Sequence, residues 1–328
     1  MAIDLLSIKP HKVSRDLSGY ITYIYGQPKV GKTTLCSKFP SPLILAFEKG
    51  YNALPGVMAQ DIQKWSQMKE VLRELKKPEV KEVFKTIVID TIDVAGALCE
   101  KYICNKKGIE TIGEGGWGNN GWSDYKKELE DVFRSITQEG YAVVFISHVQ
   151  DKTFKRPDGT EYNQMIPTAQ KSLNNIVKGM ADIYACATID PTTKERQLVL
   201  RSIDGSIDAG SRFRYLPPSI PLGYDELVKA INAAIDKEAA ETDNKFVTDQ
   251  REVNAEKEPE YDYGALMDEF QALAGQLVSQ SPQNGMKITA IIDKYLGKGK
   301  KISEATPAQV DMIYLIVSEI KADLLPKE

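Results

Sequence analysis

From residue 20 onward the chain alternates short runs rich in apolar and β-branched residues with longer stretches whose apolar positions recur at helical spacing. The runs YITYIY (20 to 25), PLILAF (42 to 47), VFKTIVI (83 to 89) and YAVVFIS (141 to 147) are strand-sized and apolar at nearly every position, as in strands covered on both faces. Two further strands are expected at 183 to 189 and 197 to 203, joined as a hairpin around DPTTKER. Helices are expected over 66 to 76, 91 to 104, 122 to 138 and 224 to 239. Strands alternating with helices in this way specify an α/β fold with a mostly parallel sheet flanked by helices.

The pattern changes near residue 236. Three helices follow at about 263 to 280, 286 to 296 and 307 to 325, the last with Thr306 as N-cap and Pro307 at its first position. Val310, Ile313, Tyr314, Val317 and Ile320 form an apolar stripe along it, so this tail has a face to bury. The expected division is a core over 1 to 235, an acidic flexible linker over 236 to 262 and a small C-terminal all-α module over 263 to 328.

Charge supports that division. The chain of 328 residues carries a net charge of −4, and residues 236 to 262 hold ten acidic and four basic side chains, a net of −6, which leaves +2 for everything else. The overall acidity therefore does not exclude a nucleic-acid partner, because phosphate contacts depend on local positive charge. No apolar run approaches the roughly 20 residues of a membrane-spanning helix, and the N-terminus lacks a secretion-signal pattern. A cytoplasmic location and no membrane partner are expected. Four cysteines without a CxxC pair and only two histidines argue for free thiols and against a zinc site.

The strongest chemical signal is YIYGQPKVGKTTLC. Gly26, Gln27, Pro28, Lys29, Val30, Gly31, Lys32, Thr33 and Thr34 form a phosphate-binding loop between a strand and a helix, the context that this motif requires. Its backbone N–H groups suit the phosphates of ATP, Lys32 suits the β and γ phosphates, and the Thr33 hydroxyl suits Mg²⁺. Asp90, at the end of FKTIVID, is the candidate partner for the metal, whereas Asp93 reads as a plain helix residue. Glu48, at the end of the second strand, is the candidate for orienting an attacking water. His148, at the end of the fourth strand, is the candidate sensor of the γ phosphate, with Gln150 as fallback. These ends share the carboxyl edge of an open sheet, where ligands bind.

The ordered set Gly26 to Thr34, Glu48, Asp90 and His148 resembles the RecA-like P-loop ATPases, and most of all the phage-encoded, core-only proteins of DNA recombination and single-strand annealing. The phrases GGWGNNGWSDYKKEL, SHVQDK, KGMADIYACATID and IDAGSRFRYLPPSIP carry the same resemblance, which spans about residues 18 to 235. Glu48 follows Lys32 by only sixteen positions, so the helix after the P-loop is expected to be very short. The resemblance implies an ATPase that acts as a homo-oligomer, ring or filament, on single-stranded DNA. It implies DNA-binding loops at CNKKGIETIGEGGWGNNGW, with Lys106, Lys107, Trp117 and Trp122, and at HVQDKTFKRPDGTEYNQMIPTAQKSLNNIVK, with Lys152, Phe154, Lys155, Arg156 and Lys171. Cations interleaved with aromatics suit single strands through phosphate contacts and base stacking. It also implies a cation supplied to a neighbouring subunit's site, for which Lys194 and Arg196 on the hairpin turn are candidates and Arg212 the competitor. If phage-encoded, the protein would work in the host cytoplasm, and the C-terminal module is expected to recruit a recombination or replication protein or to help subunits assemble. A P-loop kinase of a small acceptor and a low-turnover loader or switch are the competing readings.

Overall fold

The computed structural model describes residues 6, 8–116, 118, 120–241, 243, 246–249 and 261–325. It divides into two units, residues 1–256 and 257–328.

The strands of the first unit are β1 (Val13–Ser14), β2 (Ile21–Gly26), β3 (Pro42–Ala46), β4 (Met58–Asp61), β5 (Thr86–Asp90), β6 (Ala142–Ser147), β7 (Val149–Lys155), β8 (Glu161–Pro167), β9 (Ile183–Ile189), β10 (Arg196–Val199), β11 (Gly210–Ser211), β12 (Ser219–Pro221) and β13 (Val247–Thr248). Its helices are α1 (Lys32–Cys36), α2 (Trp65–Leu75), α3 (Pro78–Val83), α4 (Ile92–Lys107), α5 (Trp122–Gln138), α6 (Lys171–Met180) and α7 (Tyr224–Ala240). The main sheet runs β12-β10-β9-β2-β6-β5-β3-β4, with β11 paired to β9. The five contacts from β9 to β4 are parallel and those made by β10, β11 and β12 are antiparallel.

Alternation along the buried strands feeds two cores. Tyr23, Tyr25, Ile87, Ile89, Val143 and Phe145 point to one face, where residues of α2, α4, α5 and α6 cover them. Ile24, Val88, Val144 and Ile146 point to the other, under α1 and α7. Each strand is thus apolar on both sides, which is why these segments read as continuous apolar runs.

Helix α5 coincides with its expected bounds, and α1 is indeed short, five residues ending at Cys36. Pro40 and Pro42 follow closely and do not extend a helix. The strand expected over 83 to 89 begins instead at Thr86, because Pro78 opens α3, which runs to Val83. The hairpin partner expected over 197 to 203 is shorter, ending at Val199.

Three features depart from the sequence reading. The segment after His148 is an antiparallel hairpin, β7 with β8, in register from Val149↔Pro167 to Lys155↔Glu161. The linker expected from 236 begins inside α7, which continues to Ala240. Farther on, β13 pairs in parallel with β1, and Arg15 bonds both Asp236 and Asp249, so part of the acidic stretch is fixed to the N-terminal segment. Residues 250–260 of that stretch, and Trp117, lie outside the described residues.

The second unit contains α8 (Tyr263–Gln280), α9 (Pro282–Leu296) and α10 (Val310–Leu324). Leu266, Phe270, Leu277, Ile288, Ile291, Ile313, Ile316, Val317 and Ile320 form its own core. Asp262 caps α8 by accepting from Ala265 N at 2.7 Å, and Thr306 with Gln309 forms a capping box on the turn that leads into α10. Among the described residues no helix is long and apolar enough to cross a membrane.

Candidate active site

The sheet order places β6 between the P-loop strand β2 and the acidic strand β5, with β3 beyond it. Tyr25 pairs with Ser147, Ile146 with Asp90, and Asp90 with Ala46, so four strand ends meet at one edge. Gly26, Glu48, Asp90 and His148, separated by up to 122 positions in the chain, converge there.

The P-loop passes close to β9. A Cβ on Gly26 would lie 2.1 Å from Ala187 O, so no side chain fits at that turn. Lys32 is buried, and its ammonium donates to Gly26 O at 2.7 Å and Gln27 O at 2.9 Å, spanning the mouth of the loop. Burial lowers its pKa, opposed by the carboxylates of Asp90 and Asp93. The Thr33 hydroxyl donates to Asp90 Oδ2 at 2.7 Å. Asp90 is 4% exposed. Burial raises its pKa, the Thr33 bond opposes that shift, and the Glu48 carboxylate adds to it.

This donor set fits a nucleotide with magnesium. It holds a cation at the loop mouth, a hydroxyl and a buried carboxylate in contact, and oxygen donors of the kind that Mg²⁺ prefers. Gly50, which sequence reasoning did not single out, backs the same point: a Cβ there would lie 3.3 Å from Thr33 Oγ1 and 3.5 Å from Asp90 Oδ2. A side chain at 50 would crowd the metal position.

Glu48 lies just beyond β3. The amides of Phe47 and Glu48 both donate to Asp90 O, at 2.7 and 3.2 Å, which turns Glu48 toward the site. Its carboxylate accepts from Thr91 Oγ1 at 2.7 Å and lies 3.2 Å from His148 Nε2. A proton on Nε2 makes that second contact a hydrogen bond.

His148 is held from behind as well. Its amide donates to Asp93 Oδ2 at 3.3 Å, and its carbonyl accepts from Thr168 N at 3.0 Å. Asp93 also accepts from Ser147 Oγ and from Thr168 Oγ1. Asp93 is therefore more than the plain helix residue expected, since it ties the end of β6 to the residue that follows β8. Gln150 bonds across the hairpin to Pro167 O at 3.0 Å. The β7–β8 hairpin is thus rooted on the two residues, His148 and Thr168, that flank it.

Along the hairpin the cations divide between faces. Phe154 stacks on Tyr162, with centroids 5.7 Å apart, Lys152 lies 5.4 Å from the Phe154 ring and Arg156 lies 4.7 Å from the Tyr162 ring. Lys155 belongs to the opposite face, across from Glu161. Lys106 and Lys107 end α4, where Lys107 pairs with Asp124 at 2.9 Å. Trp122 starts α5 and packs edge-on to Tyr125. Lys171 opens α6, beside a surface groove of about 460 Å³ that Lys126 and Glu130 also line. Lys106, Lys107, Trp122 and Lys171 thus belong to α4, α5 and α6 and not to the hairpin.

The candidates for a neighbour-directed cation make the following contacts within their own chain. Lys194 folds back to Pro191 O within the turn. Arg196 lies against the P-loop of its own chain: a Cβ on Gly31 would be 3.5 Å from Arg196 Nη1. Antiparallel pairing of Arg196 with Ile189, next to the strand that abuts the P-loop, brings it there. Arg212 is committed to Asp182 and Gly179 O.

Three comparisons relate the chain to known proteins. The AAA domain family profile matches residues 18–213. A SPbeta prophage-derived uncharacterized protein, YorG, of Bacillus subtilis (strain 168) is 28% identical over 333 residues, covering 99% of each chain. Among solved structures, a KaiC-like protein from Pyrococcus horikoshii OT3 aligns with a TM-score of 0.32 and 12% identity, over 57% of this chain and 80% of that one. The family match and the sheet give the fold expected from the sequence, a RecA-like P-loop core with a mostly parallel sheet flanked by helices, followed by C-terminal helices.

Proposed function

Because the chain belongs to the AAA domain family of P-loop ATPases, we propose that it is an ATP-dependent ATPase that binds single-stranded DNA in phage recombination, annealing or replication. One observation carries the DNA half of this reading. His148 touches Glu48 on one side and roots the β7–β8 hairpin on the other, so a change at the nucleotide can pass through Glu48 and His148 to the base of a hairpin that carries a solvent-facing row of cations and rings, beginning at Lys152. The prophage-derived relative supports the phage setting.

In this reading Lys32 exchanges its bonds to Gly26 O and Gln27 O for the β and γ phosphates of ATP. Thr33 and Asp90 would hold magnesium, which would supply positive charge to offset that building on the phosphate oxygens. Glu48 accepts a hydrogen bond from the attacking water and orients it in line. His148, released from or drawn toward Glu48 as the γ phosphate comes and goes, shifts the root of the hairpin. Lys152, Phe154, Arg156 and Tyr162 then meet phosphates and bases of the strand. The protein works as a homo-oligomer in the host cytoplasm, and its helical module engages a recombination or replication protein.

The test is phosphate release from ATP with and without an oligothymidine of about 30 nucleotides. Stimulation by the strand supports the reading; turnover that is indifferent to DNA at saturating oligonucleotide counts against it.

A further inference from the structure

We propose that Arg196 acts within its own subunit, as a ligand for the phosphates of the nucleotide held by the P-loop of the same chain. The inference rests on the ATP-binding reading above and adds a residue to that site.

Gly31 has a φ of 116°, which strains any side chain, and a Cβ there would stand 3.2 Å from Leu222 Cδ2 and 3.5 Å from Arg196 Nη1. The guanidinium therefore lies against the backbone of the phosphate cradle. Its own backbone is fixed on both sides. Arg196 pairs with Ile189 across the β9–β10 ladder, and its carbonyl accepts from Leu222 N at 3.0 Å. An arginine on a paired strand beside the loop is positioned before any ligand arrives.

The other arginines of this region are already engaged. Arg212 pairs with Asp182, Arg214 with Glu241, and Arg201 donates to Arg214 O. For Arg196, among the described residues, no ion pair or hydrogen bond of the side chain is formed. An exposed guanidinium without a carboxylate, beside the backbone of the phosphate loop, is attracted by a triphosphate bound there. Its planar fork matches two phosphate oxygens at once, which an ammonium does not. A role in a neighbouring subunit's site would require the same group to leave the loop beside which it lies.

Equilibrium binding of a fluorescent ATP analogue with Mg²⁺ tests this, using full-length wild type, Arg196→Ala, Arg196→Lys and Lys32→Ala at several chain concentrations. A charge-assisted hydrogen bond predicts that Arg196→Ala binds about tenfold or more weakly, with Arg196→Lys between it and wild type. The loss should be the same at every chain concentration and should persist when Arg196→Ala is mixed with Lys32→Ala chains. Wild-type affinity in Arg196→Ala, or recovery on mixing, overturns the assignment. Wild-type affinity in Lys32→Ala would instead overturn the underlying nucleotide reading, so the two failures are separable.

Discussion

If one face of the β7–β8 hairpin carries the strand, substitutions on its two faces must separate. Phe154 and Tyr162 form the stacked pair of that face, flanked by Lys152 and Arg156, whereas Lys155 projects the other way toward Glu161. Base stacking on an aromatic side chain is worth about 1 to 3 kcal/mol, so Phe154→Ala should weaken oligothymidine binding by about 5- to 150-fold. Each phosphate neutralised on a single strand adds about 0.7 to the slope of log K against log salt. Lys152→Ala with Arg156→Ala should therefore reduce that slope by about 1.4, a difference of about sevenfold between 50 and 200 mM salt. Lys155→Ala should leave the slope unchanged. Fluorescence anisotropy with a labelled oligonucleotide over a salt series reads all three. The hairpin itself should survive, because it retains its ladder of backbone bonds and loses only an aromatic contact worth about 0.5 to 1.5 kcal/mol. Equal slopes for the double variant and wild type, or an effect of Lys155→Ala as large as that of the double variant, would refute the face assignment.

Glu48→Gln should keep ATP bound while phosphate release falls by at least about a hundredfold, within the usual range for a positioned acid or base; turnover at the wild-type rate removes Glu48 from the chemistry. Asp90→Asn should raise the melting temperature of the nucleotide-free protein near neutral pH. The folded pKa of Asp90 lies above its ordinary value of 3.8 because the carboxyl is buried, so the folded state binds the proton more tightly than the unfolded one. The resulting penalty is absent below the unfolded value, grows as pH rises through the folded value and is full above it. The melting difference between variant and wild type should follow that rise, and the variant should lose the stabilisation that Mg²⁺ gives with nucleotide. A variant that melts lower than wild type at neutral pH, or responds to Mg²⁺ as wild type does, contradicts this account of Asp90.

The sheet was legible because its strands are buried on both faces, so Tyr23 to Tyr25 and Ile87 to Ile89 are apolar without interruption. The helices with one buried stripe, α5 and α10, were legible for the same reason at a different period. The β7–β8 hairpin was not, because both its faces meet solvent and VQDKTFK carries no apolar alternation. Its turn was visible in KRPDGT, where Gly159 sits at φ 87° and Asp158 accepts from Thr160. β4 was missed because Met58–Asp61 is a partly exposed edge strand.

At the site, the P-loop and Asp90 announce themselves by local pattern, and the parallel register brings them together. The roles of Asp93 and Gly50 depend on contacts across 75 and 17 positions of chain, to Thr168 and Thr33, which no local pattern encodes. Arg196 illustrates the same limit. Its position in a charged turn suggested a projection toward a neighbour, and only the ladder from β9 to β10 shows which loop it overlies.

On the proposed reading the nucleotide site and the hairpin are coupled through His148. The direct measurement is the affinity for oligothymidine with and without a non-hydrolysable ATP analogue and Mg²⁺, in wild type and in His148→Ala. A coupling of about 1 to 3 kcal/mol predicts that the analogue tightens DNA binding by about 5- to 150-fold in wild type, and that DNA tightens the analogue by the same factor. His148→Ala should bind each ligand alone and lose that factor. Identical DNA affinity with and without the analogue in wild type, or full coupling in His148→Ala, would contradict the claim.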